Sequence, residues 1–379
     1  MNFSKISHDQ LFSRFSTKIS VKICIVIPVK DEEEHIEKSL QAFAQQTDEF
    51  GDPINFDQFE ILILANNCSD NSFRLIENFR RKNPFLNIYC QEIKLDSEKA
   101  NIGYVRKLLM NTAFKRLSKN GGGIIMTTDS DSIVANDWIN QNKTEIEHGA
   151  DAVGGRISLY QNEIDEMDEF TRSLHFTDER YQLLIAEAEE KIVENPQHPN
   201  QTHHQHFNGS FAVTTECFEK SGGIPDVKFL EDCAFFERLK NIDAKIVHSH
   251  NVKVQTSARF NGRTQIGLSY QLNEWNNLEK NNPEIFVESA ASIISRFKEK
   301  KHLNDLWLKR NALSDSESNV LSKVICYNEE LLKSFKNSKF FGFWYGDFFS
   351  FKQLNSLQNH QPEIIGNAIK NLEKELSKL

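Results

Sequence analysis

Four short apolar runs, separated by amphipathic stretches, decide what the first third of this chain can fold into. The runs are rich in β-branched residues, as strands buried on both faces of a sheet are. They cover residues 21–29, 59–66, 86–93 and 123–129. Helical patterns follow the first three runs, at residues 31–46, 69–83 and 102–120. This alternation predicts right-handed βαβ units, and therefore an α/β fold with a mostly parallel sheet flanked by helices.

Two aspartates stand where the fourth predicted strand ends. Asp129 and Asp131 belong to the stretch TTDSDS, directly after an apolar run. Asp and Ser are common turn residues, so the pair on its own is weak evidence for a site. Ligands in parallel sheets nevertheless bind outside the carboxyl ends of the strands. Two carboxylates there can hold Mg²⁺ or Mn²⁺, which prefer oxygen ligands and share them with phosphates.

Composition excludes several classes of protein. The 379 residues carry a formal net charge of −9, which argues against a nucleic-acid partner. None of the six cysteines forms a C-x-x-C pair, so we expect reduced thiols and no disulfide framework. The first twenty residues lack the apolar core of a signal peptide, and no window reaches the ~18 apolar residues of a membrane span. These features predict a cytoplasmic protein with at most peripheral membrane contact.

The pattern changes after residue 160, where charged helical stretches and a polar loop replace the regular alternation. We predict an N-terminal extension at 1–20, a large α/β domain at 21–268 and a helical C-terminal region at 269–379. The large domain divides into halves at 21–135 and 136–268.

The C-terminal region contains the aromatic stretch FFGFWYGDFF at 340–349. This stretch is too apolar to be left exposed. We therefore expect the region to pack on the α/β domain or to build a homodimer.

Five landmarks stand in one order along the chain: IVIPVKDEEEHIEKSL, ILILANNCSDNS, TTDSDS, GSFAVTTECFEKSGGIPDVKFLEDCAFFERLK and VKVQTSARFNGR. In this order they resemble the family 2 glycosyltransferases of the GT-A fold, over about residues 20–265. The resemblance implies an enzyme of the hexosyltransferase type (EC 2.4). Such an enzyme transfers a sugar from a nucleoside-diphosphate sugar to an acceptor hydroxyl with inversion, using Mg²⁺ or Mn²⁺. The resemblance makes 21–268 the catalytic domain, with a nucleotide-binding half at 21–135 and an acceptor and catalytic half at 136–268. The acceptor is not indicated.

The resemblance also implies which residues line the nucleoside. The loop with Pro28, Val29, Lys30 and Glu32 matches the family pattern P-x-x-N-E, with Asp31 in place of the usual Asn. Its acids would also favour the start of a helix.

Two further positions are implied near the base and the nucleotide. Asn66 stands where the family often has an acid that reads the base, so a uracil donor is not assigned. An Asn amide can still read a base edge, or simply form a turn. Arg106 matches a family arginine near the nucleotide, and a solvated helix face is the alternative.

For the metal and the diphosphate, the resemblance assigns Asp131 to the cation and Asp129 to the cation or the ribose. Arg259 and Arg263 would clamp the diphosphate or an anionic acceptor, since guanidinium groups suit phosphate oxygens. Gly223 would let the backbone approach the donor sugar, or it marks a turn.

The resemblance further implies that Asp232 is the general base, with Glu231 as its neighbour and first alternative. A base is needed because an acceptor hydroxyl is a poor nucleophile until its proton leaves. The same acid pair would also favour the start of a helix through the helix dipole.

Histidines offer another kind of site. His198, His203, His204 and His206 lie in one polar loop, where zinc is the less favoured interpretation because neither a Cys partner nor helical spacing accompanies them. An acceptor-site loop is favoured instead. His248 or His250 is a candidate for a further ligand of the donor's metal.

Two other functions compete with sugar transfer. A sugar nucleotidyltransferase shares the α/β layout, but it would show a Gly- and Lys/Arg-rich phosphate loop after the first strand, where this chain has PVKDEEE. A non-catalytic nucleotide-sugar-binding module is the second alternative. The presence of both Asp131 and Asp232 argues against it.

Overall fold

The computed structural model describes residues 11–193, 203–260, 262, 266–278, 284–355 and 362–379. These residues form two compact units. The first unit contains the described residues of 1–169, 205–238 and 245–277, and the second those of 170–204, 239–244 and 278–379. The domain boundaries expected from the sequence stay a prediction.

A mixed eight-stranded sheet forms the centre of the first unit. Its strands are β1 (Ile23–Val29), β2 (Phe59–Asn66), β3 (Ile88–Ile93), β4 (Ile124–Thr128), β5 (Ser132–Val134), β6 (Ala152–Leu159), β7 (Ser210–Thr214) and β8 (Ile246–Thr256). Their order in space is β3-β2-β1-β4-β7-β6-β8-β5. β1 pairs in parallel with β2 and β4, and β2 with β3, whereas β7 runs antiparallel to β4 and β6. The predicted α/β class and mostly parallel sheet are confirmed.

Helices flank this sheet and build the second unit. They are α1 (Ile36–Ala44), α2 (Ser72–Lys82), α3 (Ile102–Lys119), α4 (Trp138–Glu147), α5 (Gln161–Glu166), α6 (Glu169–Val193), α7 (Thr215–Lys220), α8 (Glu231–Asn241), α9 (Leu268–Leu278), α10 (Ala290–Leu308), α11 (Asp315–Val324), α12 (Glu329–Asn337), α13 (Phe341–Leu354) and α14 (Ile365–Leu376). A short 3-10 helix (Phe56–Gln58) and a small antiparallel pair, β9 (Phe286–Val287) and β10 (Glu363–Ile364), complete the described elements. No helix among the described residues is both long and apolar enough to cross a membrane.

Every residue of β1 and β2 is buried, as expected for central strands with helices on both faces. The helix predicted at 31–46 begins only at Ile36. Asp31 takes a left-handed backbone conformation, with φ at 52°, and ends the strand in a turn. The acids at 31–34 therefore lie in the loop before α1 and not in its first turn.

The second unit is held by two apolar clusters. One joins α6, α10 and α14 through side chains such as Tyr181, Phe297 and Leu372. The other contains Trp344 and Phe348 from the aromatic stretch, both fully buried. The aromatic residues of α13 therefore contribute to the core of this unit.

A buried ion pair joins α3 to the central sheet of the first unit. The Arg116 guanidinium donates to both carboxylate oxygens of Glu60, at 2.7 Å each, and to the Phe15 carbonyl at 2.8 Å. Glu60 is the second residue of β2 and has no exposed side-chain surface. A carboxylate in such a place needs a full set of charge-assisted hydrogen bonds, because burying an unpaired charge is costly.

We expect Glu60→Gln to lower the free energy of unfolding by about 3–5 kcal/mol, because it leaves the Arg116 charge buried without its partner. Chemical denaturation followed by far-UV circular dichroism measures this change. The matched control is Glu147→Gln, which breaks the exposed pair with Lys143 and should barely move the midpoint. Equal effects of the two variants would contradict the prediction.

Candidate active site

The loops that follow β1 and β2 are tied together by acids. Asp31 Oδ1 accepts hydrogen bonds from the Ser69 backbone at 2.6 Å and from its hydroxyl at 3.1 Å. Glu33 Oε2 accepts from the backbone and side-chain nitrogens of Asn71, at 3.0 and 2.9 Å. Asp70 Oδ2 accepts from the Glu33 backbone at 3.0 Å. The two loops therefore form one braced wall at the carboxyl ends of adjacent parallel strands.

Asp129 and Asp131 lie where the chain passes from β4 to β5. Ser130 between them is buried, and its carbonyl accepts a hydrogen bond from the Ser39 hydroxyl at 2.9 Å. The Asp131 carbonyl accepts from the Tyr160 hydroxyl at 2.7 Å. These bonds fix the backbone of the D-x-D segment. The side chain of Asp129 is 40% exposed and that of Asp131 is 15% exposed.

Arg259 joins Asp131 to Glu32. Its guanidinium donates to both oxygens of Glu32, at 2.6 and 2.7 Å, and lies 2.8 Å from Asp131 Oδ2. Burial, followed by the nearby Asp129 carboxylate, raises the pKa of Asp131 to about 7, and the Arg259 charge opposes this shift. Negative charge is therefore crowded around Asp131 even with one guanidinium present.

Arg106 joins Asp129 to Glu231 in the same way. Its Nε donates to Glu231 Oε1 at 3.2 Å, and one terminal nitrogen donates to Asp129 Oδ1 at 2.5 Å. The other terminal nitrogen donates to the Thr127 hydroxyl at 2.5 Å and the Asn208 carbonyl at 3.3 Å. Arg106 is only 2% exposed, so it is a buried link and not part of a solvated helix face. Its contact with a nucleotide stays a prediction.

Glu231 and Asp232 begin α8, but their surroundings differ. Glu231 is 5% exposed and held by Arg106, and burial raises its pKa although the Arg106 charge opposes that shift. Asp232 is half-buried, and its Oδ1 accepts from the adjacent Cys233 backbone at 2.8 Å. Of the two acids, Asp232 is therefore the more accessible to a ligand.

Two residues near these acids were not identified from the sequence. A Cβ atom on Gly209 would lie 3.0 Å from Asp129 Oδ2, so the backbone there passes close to the carboxylate. The Asn208 side chain lies beside Glu231, with 3.5 Å between its amide nitrogen and Oε1. The Asn-Gly dipeptide signals a turn, but nothing in the sequence shows that this turn meets Asp129.

The acids of the D-x-D segment fit a divalent cation. Mg²⁺ and Mn²⁺ commonly take one or two protein carboxylates and complete their shell with water and substrate phosphate. Asp129 and Asp131 are such a pair, and Asp131 already faces a positive charge, since its Oδ2 lies 2.8 Å from the Arg259 guanidinium. Asp131 and Asp129 are thus the residues that would hold the ion.

Another group of possible ligands lies in the braced wall. The possible ligand atoms of Asp31, Cys68 and Asp70 lie within 4.8 Å of one another. Among the described residues, this is the group of three His, Cys, Asp or Glu side chains that lie so close together. Burial raises the pKa of the Cys68 thiol to about 11, so the thiol stays protonated. The two carboxylates already accept hydrogen bonds from Ser69 and Ser72. This group is therefore part of the loop brace and a poor metal site.

A cleft of about 620 Å³ opens between the braced wall and Arg259. This volume is within the range of sites that bind small molecules and cofactors. The lining is mostly acidic: Asp31, Glu32, Glu33, Glu34, His35, Ser69, Asp70, Arg259 and Phe260.

The remaining predicted donor-site residues occupy different surroundings. Pro28 and Val29 are buried within β1, and Lys30 follows them half-buried. Asn66 is the last residue of β2 and is 5% exposed. Gly223 has φ at 66°, and a Cβ there would lie 2.9 Å from a phenylalanine ring of α7. Gly223 is thus required by its turn, and a contact of any of these residues with a nucleotide stays a prediction.

Histidines pack against aromatic rings near β8. The His206 ring stacks on Phe236 with 3.9 Å between centroids, and the His248 ring lies 5.7 Å from the same phenyl ring. The roles of His248 or His250 as a further metal ligand stay predictions. Arg263 and His198 lie outside the described residues.

Solved structures with similar folds were found at low sequence identity. The mannosyltransferase PcManGT from Pyrobaculum calidifontis, in complex with GDP-Man and Mn²⁺, is 15% identical over 89% of this chain and 87% of its own, with a TM-score of 0.45. Residues 1–349 of S. aureus TarS, in complex with UDP, are 15% identical over 95% of this chain and 92% of their own, with a TM-score of 0.44. No curated protein matches the chain.

A family model gives the more specific result. The model described as glycosyl transferase family 2 matches residues 24–212. The matched range runs from β1 into β7 and includes the braced wall, the D-x-D segment and Arg106. Through these residues the chain belongs to glycosyl transferase family 2.

Proposed function

We propose that the protein is a metal-dependent glycosyltransferase. It moves a sugar from a nucleoside-diphosphate sugar to an acceptor hydroxyl, with inversion at the anomeric carbon. The observation that carries this proposal is a pair of arginine bridges. Arg106 joins Asp129 to Glu231, and Arg259 joins Asp131 to Glu32, which lines the cleft. Family membership supports the same reaction class.

Asp131, together with Asp129, would hold the divalent cation. When bound there, such a cation stabilises the negative charge that grows on the diphosphate leaving group. Asp129 is already fixed on one oxygen by Arg106, which leaves its other oxygen, beside Gly209, for a ligand. The cleft lined by Glu32 and Arg259 would receive the nucleotide.

Asp232 is the general base in this proposal. A base must lie within hydrogen-bonding reach of the acceptor hydroxyl and be free to take its proton. Glu231 meets neither condition well, because it is buried and paired with Arg106. Asp232 is more exposed, and its Oδ1 accepts a hydrogen bond from the backbone of its own helix. Glu231 then acts as a positioning residue at the start of α8.

The Asp131 carboxylate is the charged ligand that the proposed cation depends on. We expect Asp131→Asn to abolish Mn²⁺-dependent binding of nucleoside diphosphates and all sugar transfer, because it removes a charged metal ligand. Calorimetry with UDP, GDP and ADP, each with and without Mn²⁺, measures the binding. The control is Asp137→Asn, since Asp137 directly precedes α4 and accepts a hydrogen bond from the Gln141 side chain. An Asp131→Asn protein that keeps full activity in EDTA would rule out the proposal.

The second prediction concerns the base. We expect Asp232→Asn to bind donor nucleotide normally but to lower turnover by roughly 10²–10⁴, the usual contribution of general base catalysis. Release of nucleoside diphosphate from a panel of nucleotide sugars measures turnover, with water as the acceptor where no other is known. Asp226→Asn, at a surface acid paired with Lys107, is the matched control and should be fully active.

Glu231→Gln separates the two acids. Because Glu231 balances Arg106, this variant should lose thermal stability, whereas Asp232→Asn should not. If Asp232→Asn instead turns over at the wild-type rate, the base lies elsewhere. If pyrophosphate is added to the same nucleotide sugars, nucleotidyl transfer in place of sugar transfer would yield nucleoside triphosphate and sugar phosphate, and this result would overturn the proposed reaction.

A further inference from the structure

Arg259 forms an ion pair with Asp131, the residue that would bind the metal. One terminal nitrogen lies 2.6 Å from Glu32 Oε1 and 2.8 Å from Asp131 Oδ2, so the same nitrogen serves both acids. The other terminal nitrogen donates to Glu32 Oε2 at 2.7 Å. The guanidinium is therefore held bidentately by Glu32 and by a single contact to Asp131.

The remaining contacts of Asp131 are weak or use its backbone. Its other carboxylate oxygen lies 3.4 Å from the Thr256 hydroxyl, and its carbonyl accepts from Tyr160. Among the described residues, the ion pair of Asp131 is with Arg259. A cation that binds Asp131 must therefore share this carboxylate with Arg259 or displace it.

We propose that Arg259 is the resting counter-ion of Asp131 and leaves it when the divalent cation of the donor arrives. This inference rests on the proposed function. Glu32 keeps the guanidinium at the cleft during the exchange. The N–H group that leaves Asp131 can then donate to the diphosphate that accompanies the metal. Arg259 thus couples metal binding to nucleotide binding.

The surroundings of Arg259 suit an exchange by the side chain alone. Glu163 accepts hydrogen bonds from the Ser257 hydroxyl and the Ala258 backbone, which anchors the chain directly before Arg259. The Nε of Arg259 is buried and has no hydrogen-bond partner in this arrangement. A buried unsatisfied donor is unfavourable, so the guanidinium is held less firmly than one with all its N–H groups hydrogen-bonded.

The exchange has a thermodynamic consequence. In the proposed exchange, a metal that bound without a diphosphate would free an Arg259 N–H from Asp131 and leave it with no new acceptor. With a diphosphate present, its phosphate oxygens accept a hydrogen bond from that N–H. The metal and the diphosphate therefore each strengthen the binding of the other. The protein would then bind free metal weakly and the metal–nucleotide complex strongly, and Arg259 would be the cause of the difference.

The test measures binding of Mn²⁺ alone, from the electron paramagnetic resonance signal of the free ion. We expect Arg259→Gln to bind Mn²⁺ about tenfold more tightly than the wild type, because a charge-assisted hydrogen bond no longer competes for Asp131. With Mn²⁺ saturating, the same variant should bind UDP, GDP and ADP more weakly than the wild type does. The two affinities thus change in opposite directions.

Arg259→Lys tests whether contact or charge alone is responsible. A lysine keeps the positive charge but lacks the planar fork that serves Glu32 and Asp131 together. If displacement of a contact is the cause, Arg259→Lys binds Mn²⁺ nearly as tightly as Arg259→Gln. Behaviour like the wild type would mean that only the nearby charge matters, which overturns the counter-ion role.

Two further variants complete the design. Arg81→Gln removes the same charge from an exposed site on α2 and should leave Mn²⁺ binding unchanged. The double variant Asp131→Asn/Arg259→Gln should show no gain in Mn²⁺ affinity, since the gain must act through Asp131. Thermal unfolding of each variant confirms that the protein is folded.

The outcomes separate this inference from the proposed function. If Asp131→Asn abolishes Mn²⁺ binding but Arg259→Gln leaves it unchanged or weaker, the proposed function stands and the counter-ion role is wrong. If neither Mn²⁺ nor any Mn²⁺–nucleotide pair binds the wild-type protein, the proposed function fails and the inference fails with it.

Discussion

Carboxylates repel one another, so a site that gathers several of them depends on the cations placed between them. In this protein two arginines have that task, and each contacts one acid of the D-x-D segment. Arg106 ties Asp129 to Glu231 beneath the surface, and Arg259 ties Asp131 to Glu32 at the cleft. The two bridges differ in burial, since Arg106 is enclosed whereas the side chain of Arg259 is 22% exposed. One bridge is therefore suited to hold shape, and the other to respond to a ligand.

The topology of the sheet explains why residues so far apart in the sequence can meet. Parallel strands β1, β2 and β4 end at the same edge, which places the loops after them side by side. β7 then runs antiparallel to β4 and begins at that edge, so the Asn208–Gly209 turn arrives beside Asp129. The mixed sheet thus brings together acids that follow the ends of parallel strands and a turn that precedes an antiparallel strand.

Much of this could be predicted from the sequence, because periodicity and strand-end acids are local signals. The strands at 21–29 and 59–66, and the acids Asp129 and Asp131, were located by such signals. The start of α1 was placed too early, since nothing in the pattern showed that Asp31 takes a left-handed conformation. Charge patterning could not decide whether Arg106 lies on a solvated helix face or in the site. The partners that bury it, Asp129 and Glu231, lie 23 and 125 residues away in the chain and only the fold reveals them.

The braced loops after β1 and β2 have a consequence for how this protein can change over evolutionary time. Asp31, Glu33 and Asp70 face the cleft, yet their oxygens already hold backbone and side-chain groups of the opposite loop. The wall is thus ordered by folding, before any ligand arrives, which lowers the entropy lost on binding. Because the same acids line the cleft and brace the loops, ligand preference and local stability depend on the same residues. A substitution that altered how these acids meet a ligand would also loosen the wall, so ligand preference and local stability cannot drift independently here.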